Sequence, residues 1–140
     1  MTPDLAAMQD FFRRSPFMVD LGVEPVSVSA GLVSAVLQIE PRHLQHTGQV
    51  HAGVMAALAD HCMGSAAQTL APEGRWALTA ELKTSQLRAA KGQRLVCEAR
   101  VLKAGRNLSF TEAEVHAEGA GQRTLVMKAS ATMSLAMARA

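Results

Sequence analysis

The sequence predicts an α+β domain in which a curved antiparallel sheet of six strands buries one face against a single long helix. Three observations carry that expectation. Apolar and polar residues alternate over two runs in the first third of the chain and four runs in its second half. Between these groups, residues 53–70 repeat their apolar positions at helical spacing instead. With 140 residues, 49% of them apolar and 19% charged, the chain can build one substantial core but not two comfortable ones, so 1–140 reads as a single domain.

The elements follow in order. In "TPDLAAMQDFFRR", Thr2 stands as an N-cap, Pro3 at the first helical position, and Leu5, Met8, Phe11 and Phe12 at helical spacing. This predicts a short amphipathic helix over about 3–14, closed by Ser15-Pro16. Residues 23–39 alternate on both sides of Ala30-Gly31, as a hairpin does. "PRHLQHTGQVHAG", punctuated by Pro41, Gly48 and Gly53, is a loop leading into the long helix. That helix places Met55, Leu58, Ala59, Cys62 and Ala66 on one stripe, while Ala56, Ala57, Gly64 and Ala67 keep its remaining surface thin. A helix so made can be surrounded by other backbone, so it is expected to be central. Four strands are then centred on Leu78–Leu82, Leu95–Val101, Ser109–Val115 and Leu125–Met133, with Lys91-Gly92, Ala104-Gly105 and residues 119–121 as hairpin-type turns, so that sequential strands run antiparallel or cross to neighbouring positions.

Charge and composition exclude several classes. Fourteen basic residues against 12 acidic ones leave +2, too weak and scattered for nucleic acid. No apolar run approaches the roughly 18 residues of a membrane span. The N-terminus lacks the order of a signal peptide, so a cytoplasmic location is expected. Cys62 and Cys97 have no metal-ligand or CxxC spacing and read as buried hydrophobes; no metal or cofactor is expected.

The chemistry concentrates in "QHTGQVHAGVMAALADHCMG". Free N–H groups at the helix start favour a developing negative oxygen, and Gly53 permits close approach; the plainer reading is that His51 only caps the helix. Asp60 is a carboxylate inside an apolar helix, which must be partnered or used. It lies seven residues beyond Gly53, about 10 Å along the axis at 1.5 Å per residue, too far for both to act on one carbonyl carbon. Two copies with antiparallel central helices would bring Asp60 of one near Gly53 of the other, giving two composite sites. Alternatively, Asp60 is a structural carboxylate held by a neighbouring group.

These residues resemble the hotdog-fold acyl-CoA thioesterases, in the branch of the phenylacetate-degradation and 4-hydroxybenzoyl-CoA enzymes. There an Asn or Gln stands six residues before a His-Gly-Gly segment that opens the central helix, and an Asp or Glu stands nine residues after the His. Here the pattern is Gln45, His51-Ala52-Gly53 and Asp60, with Ala52 in place of the first Gly. "AGRNLSFTEAEV" also matches, and the likeness spans about residues 20–135. The resemblance implies a six-stranded sheet wrapped around the central helix and an acyl-CoA substrate. It further implies that Gly53 N–H polarises the thioester carbonyl and that Asp60 of the partner chain is nucleophile or general base. By the same resemblance Gln45 holds the water or acyl group, His51 supports the loop, and Thr79 assists from the following strand. It implies a homo-oligomer, a dimer or a dimer of dimers.

Substrate phosphates would meet cations at strand ends, of which Arg88, Lys91, Arg106 and Arg123 are candidates and Arg106 is preferred. Met55, Met63 and Leu87 are candidates for an acyl tunnel or for plain core packing, and His43, His61 and His116 read as structural or exposed. Two other functions use the same groove. A hotdog hydratase or dehydratase would pair His46 or His51 with Asp60 as acid and base, although the spacing from Gly53 differs from that pattern. A non-catalytic acyl-CoA binder would account for Ala52.

Overall fold

The computed structural model describes residues 3–137. Helix α1 (Leu5–Arg13) begins at Leu5, because Asp4 is extended and its carboxylate accepts from Ala7 N–H at 2.8 Å. Pro3 therefore precedes the helix, and the expected cap Thr2 lies outside the described residues. Ser15-Pro16 closes α1 as expected, but Pro16 also opens a second helix, α2 (Pro16–Leu21), which ends at Gly22 with φ 85°. Six residues are too few for periodicity to reveal it.

Strands β1 (Val23–Ser29), β2 (Leu32–Gln38), β3 (Arg75–Gln86), β4 (Arg94–Ala104), β5 (Leu108–Gly119) and β6 (Gln122–Met137) form one antiparallel sheet in the order β1-β2-β4-β5-β6-β3. The expected turns at Ala104-Gly105 and 119–121 join neighbouring strands. Lys91-Gly92 does not: β3 pairs with β6 and not with β4, so residues 87–93 cross over the end of the sheet. Their backbone bonds account for this. Leu87 and Arg88 N–H donate to Val126 O, Ala90 O accepts from Val50, and Gln93 N–H donates to Glu118 O. Gly92, at φ 128°, passes so close to β5 that a Cβ there would stand 2.5 Å from Glu118 O.

Helix α3 (Ala52–Leu70) lies in the curl of the sheet. Its Leu58, Cys62, Met63 and Ala66 are fully buried, in one core with Leu37, Leu95, Val115, Met127 and Met133. This is the hotdog arrangement. The Cys62 and Cys97 thiols meet inside it, and a hydrogen bond to Cys62 together with burial pushes the Cys97 thiol well above the ordinary thiol range. Helix α1 closes one side of the curl. Met8 and Phe12 are buried, and Phe11 stacks between His61 of α3 and Trp76 of β3, with centroids 6.1 and 6.4 Å away. The outer face of the sheet carries crossed ion pairs, among them Arg94–Glu118, Arg100–Glu112 and Lys128–Glu114. No helix among the described residues is long and apolar enough to cross a membrane.

Candidate active site

The loop before α3 is built by hydrogen bonds that its prolines and glycines permit. Residues Pro41–His43 form a single 3₁₀ turn, and the buried His43 ring bridges Glu40 N–H at 3.0 Å and Leu21 O at 2.8 Å. Gln45 N–H donates to Gln49 O at 2.8 Å across a turn in which Gly48 takes φ 84°. Val50 N–H then reaches Ala90 O, which ties the loop to the crossover. Between them lies an open cleft of about 310 Å³ lined by Gln45, Gln49, Ala52, Met55, Gln86 and Arg88. Gln45 Nε2 donates to Thr47 Oγ1 at 2.9 Å. Of these residues, Gln49 and Gln86 carry no sequence signal beyond polarity, because only the fold brings the end of β3 to the start of α3.

At the helix start His51 is the N-cap, and its Nδ1 accepts from Gly53 N–H at 2.8 Å. Nδ1 is therefore the unprotonated ring nitrogen. Gly53 is what lets the ring lie there, since a Cβ would stand 3.0 Å from Nδ1 and 3.2 Å from Cε1. Val54 N–H is also used, by His51 O. Ala52, which lines the cleft, has a first-turn N–H without a partner among the described residues.

Asp60 lies further along α3, where the helix is only half covered. Thr79 donates from Oγ1 to Asp60 Oδ1 at 2.6 Å, and the same hydroxyl lies 3.5 Å from Met133 Sδ. A bulge between Thr79 and Glu81 reverses which residues of β3 face the helix, so Thr79 and then Leu82 point inward. The structure thus joins Asp60 to Thr79, and separately joins Gln45 to the His51–Gly53 helix start. It does not bring the two groups together within one chain: Asp60 does not line the cleft.

The cations divide in the same way. Arg88 lines the cleft, with Nη1 donating to Leu125 O at 3.0 Å. Arg123 is engaged by Glu98 and Glu118. Exposed Arg106 sits in the β4–β5 turn at the Thr79 end of the sheet, where Leu108 pairs with Ser134 and Ser134 with Leu78. His61, next to Asp60 in sequence, turns away into the α1 contact. Phe12 meets its ring edge-on at 4.4 Å, its Nε2 is buried without a partner, and burial lowers its pKa to about 4. It is a neutral packing group.

Residues 47–124 match the thioesterase superfamily. A thioesterase family protein from Silicibacter pomeroyi is 30% identical, with a TM-score of 0.89 over 91% of this chain and 94% of that one. A conserved protein from Pseudomonas aeruginosa is 32% identical over 86% and 94%, with a TM-score of 0.77. Zebrafish thioesterase superfamily member 2 is 26% identical over 94% and 98%, with a TM-score of 0.82. Comparison with curated proteins gives no match. The chain belongs to the thioesterase superfamily, and the reaction class this assigns is thioester hydrolysis.

Proposed function

We propose that the protein hydrolyses a small aryl or short- to medium-chain acyl-CoA to the free acid and CoA, at sites shared by two copies of the chain. The observation that carries this reading is the separation of two half-sites. A carboxylate bound by a hydroxyl, Asp60 with Thr79, sits on a half-open helix face, and the cleft with the helix-start amides lies about 10 Å away along that helix. Beyond Ala77, where Gln68 of the same chain occupies it, the outer edge of strand β3 is free, and the strand exposes Leu78, Leu82 and, just beyond it, Leu87. A second copy laid antiparallel along this edge and along α3 would carry its Asp60 to the cleft.

In that site the helix-start amides polarise the thioester carbonyl: Ala52 N–H directly, and Gly53 N–H once the His51 ring moves off it. Asp60 from the second copy either attacks the carbonyl carbon or takes the proton of an attacking water. The C–S bond then breaks, and the thiolate of CoA leaves and is protonated; where Asp60 is the nucleophile, water then hydrolyses the acyl-Asp60 anhydride to release the acid and restore the carboxylate. Thr79 orients the carboxylate, and Gln45 holds the water or the acyl group. Arg88 in the cleft, with Arg106 arriving beside Asp60, supplies positive charge for the CoA phosphates. Membership of the thioesterase superfamily favours hydrolysis over hydration of an enoyl thioester.

The test is release of free thiol from phenylacetyl-, benzoyl-, butyryl- and octanoyl-CoA by wild type and Asp60→Asn. The expected result is turnover of at least one ester, falling at least about a hundredfold in the variant at unchanged oligomeric state, the scale of a lost catalytic carboxylate. Esters that bind without turnover would replace this reading with that of a binder.

A further inference from the structure

Asp60 and Thr79 belong to different elements, and the sheet ladder does not hold those elements together, because it joins β3 only to β6. Among the described residues three hydrogen bonds connect α3 to β3. One is the Thr79–Asp60 bond itself; the other two come from Gln68. Gln68 is buried on the last turns of α3, at 8% exposure. Its Nε2 donates to Arg75 O at 2.9 Å and its Oε1 accepts from Ala77 N–H at 2.9 Å. Residues two apart in a strand point their peptide groups to the same edge, and Arg75 and Ala77 point theirs away from β6. The Gln68 carboxamide thus takes the place that a peptide group of an adjoining strand would occupy.

The clamp lies close to the pair it could serve. Thr79 is about 7 Å along β3 from Ala77, and Asp60 about 12 Å back along α3 from Gln68. Helix and strand run antiparallel across the short connection at Gly74, so both displacements go the same way. The bulge just beyond Thr79 breaks the strand's regularity there, which leaves the short clamped segment to set the hydroxyl's position.

We propose that Gln68 is a positioning residue for thioester hydrolysis: its carboxamide fixes β3 against α3 so that the Thr79 hydroxyl stays on Asp60. This rests on the functional reading above. Gln68 touches no substrate and acts through Thr79. A misplacement of about 1 Å at a reacting group can cost on the order of a hundredfold in rate. Gln68→Met is therefore expected to lower kcat by about 10- to 100-fold and to change KM by less than about threefold. Gln68→Asn keeps the amide but withdraws it by one methylene, and serves as the second variant should Gln68→Met fold poorly.

The experiment is a double-mutant cycle with Thr79→Val, on variants verified as folded and of wild-type oligomeric state. If Gln68 acts through Thr79, the double variant has the kcat of Thr79→Val within about twofold. Additive losses, or an unchanged kcat in the folded single variants, overturn the proposal. A second readout needs no turnover: Thr79 χ1, from three-bond couplings to its methyl group, is expected to hold one rotamer in wild type and to average in the Gln68 variants. A rotamer that stays fixed in them overturns the proposal. Absence of wild-type hydrolysis together with rotamer averaging would refute the thioesterase reading and leave the clamp standing as a device that sets Thr79 on Asp60.

Discussion

Acidification is expected to weaken the fold through His61. Its ring packs against Phe11 and Phe12 with Nε2 buried and unpartnered among the described residues, and burial lowers its pKa from 6.5 to about 4. The neutral form is the one the fold accepts, so the unfolded chain takes up a proton at a higher pH than the folded one. The contribution is complete above 6.5, is lost as pH falls below that value, and levels off below about 4. At about 1.4 kcal/mol per pH unit the whole loss is about 3 kcal/mol, of which about 2 kcal/mol is gone by about pH 5. The assay is urea unfolding of wild type and His61→Leu between about pH 8 and pH 5, at one protein concentration. Other titrating groups cancel in the difference between the two proteins. That difference is expected to move by about 2 kcal/mol in favour of the leucine variant as the pH falls. A difference flat to within about 0.5 kcal/mol would mean that the folded protein protonates His61 freely, and would refute the argument from burial.

Gly92→Ala places a Cβ 2.5 Å from Glu118 O at φ 128°, and a loss of about 2–3 kcal/mol is expected, read as a fall of several degrees in Tm. Arg88→Ala is expected to raise KM for acyl-CoA about tenfold with little change in kcat. The effect should vanish with an acyl thioester that lacks the nucleotide; an equal rise for both thioesters would mean that Arg88 shapes the cleft and meets no phosphate.

The six strands and the central helix were legible because their signals are local. Alternation along β4–β6 and the stripe through Met55, Leu58 and Cys62 require only that one face be dry, and the buried sides match. The first helix was legible as a helix but not in its start, since Thr2 and Asp4 are both good caps and only the backbone chooses between them. The turn reading at Lys91-Gly92 failed for a different reason. Glycine there reports a close backbone approach, which a crossover beneath Glu118 needs as much as a hairpin does. Within the site, Gly53 and Asp60 stand out as a helix start and a carboxylate in an apolar helix, and Gln45 and His51 through the family resemblance, whereas Gln68 and Gln86 are single polar residues whose partners are distant in sequence.

By itself, then, the sequence determined the six strands and the helices α1 and α3, though not α2, and also that Asp60 needs a partner and that Gly53 and Asp60 are too far apart on one helix to share a carbon. Those properties follow from side-chain period and helix rise, which are fixed within a few residues. Tertiary structure decided that the Thr79 hydroxyl, which the resemblance implies only as an assisting group, bonds Asp60 Oδ1, that His51 occupies Gly53 N–H, and that β3 lies at the edge of the sheet beside β6. Each of these depends on where a chain end or a hydroxyl arrives after the sheet has curled around α3. Packing the whole core sets that arrival, and no stretch of residues encodes it alone.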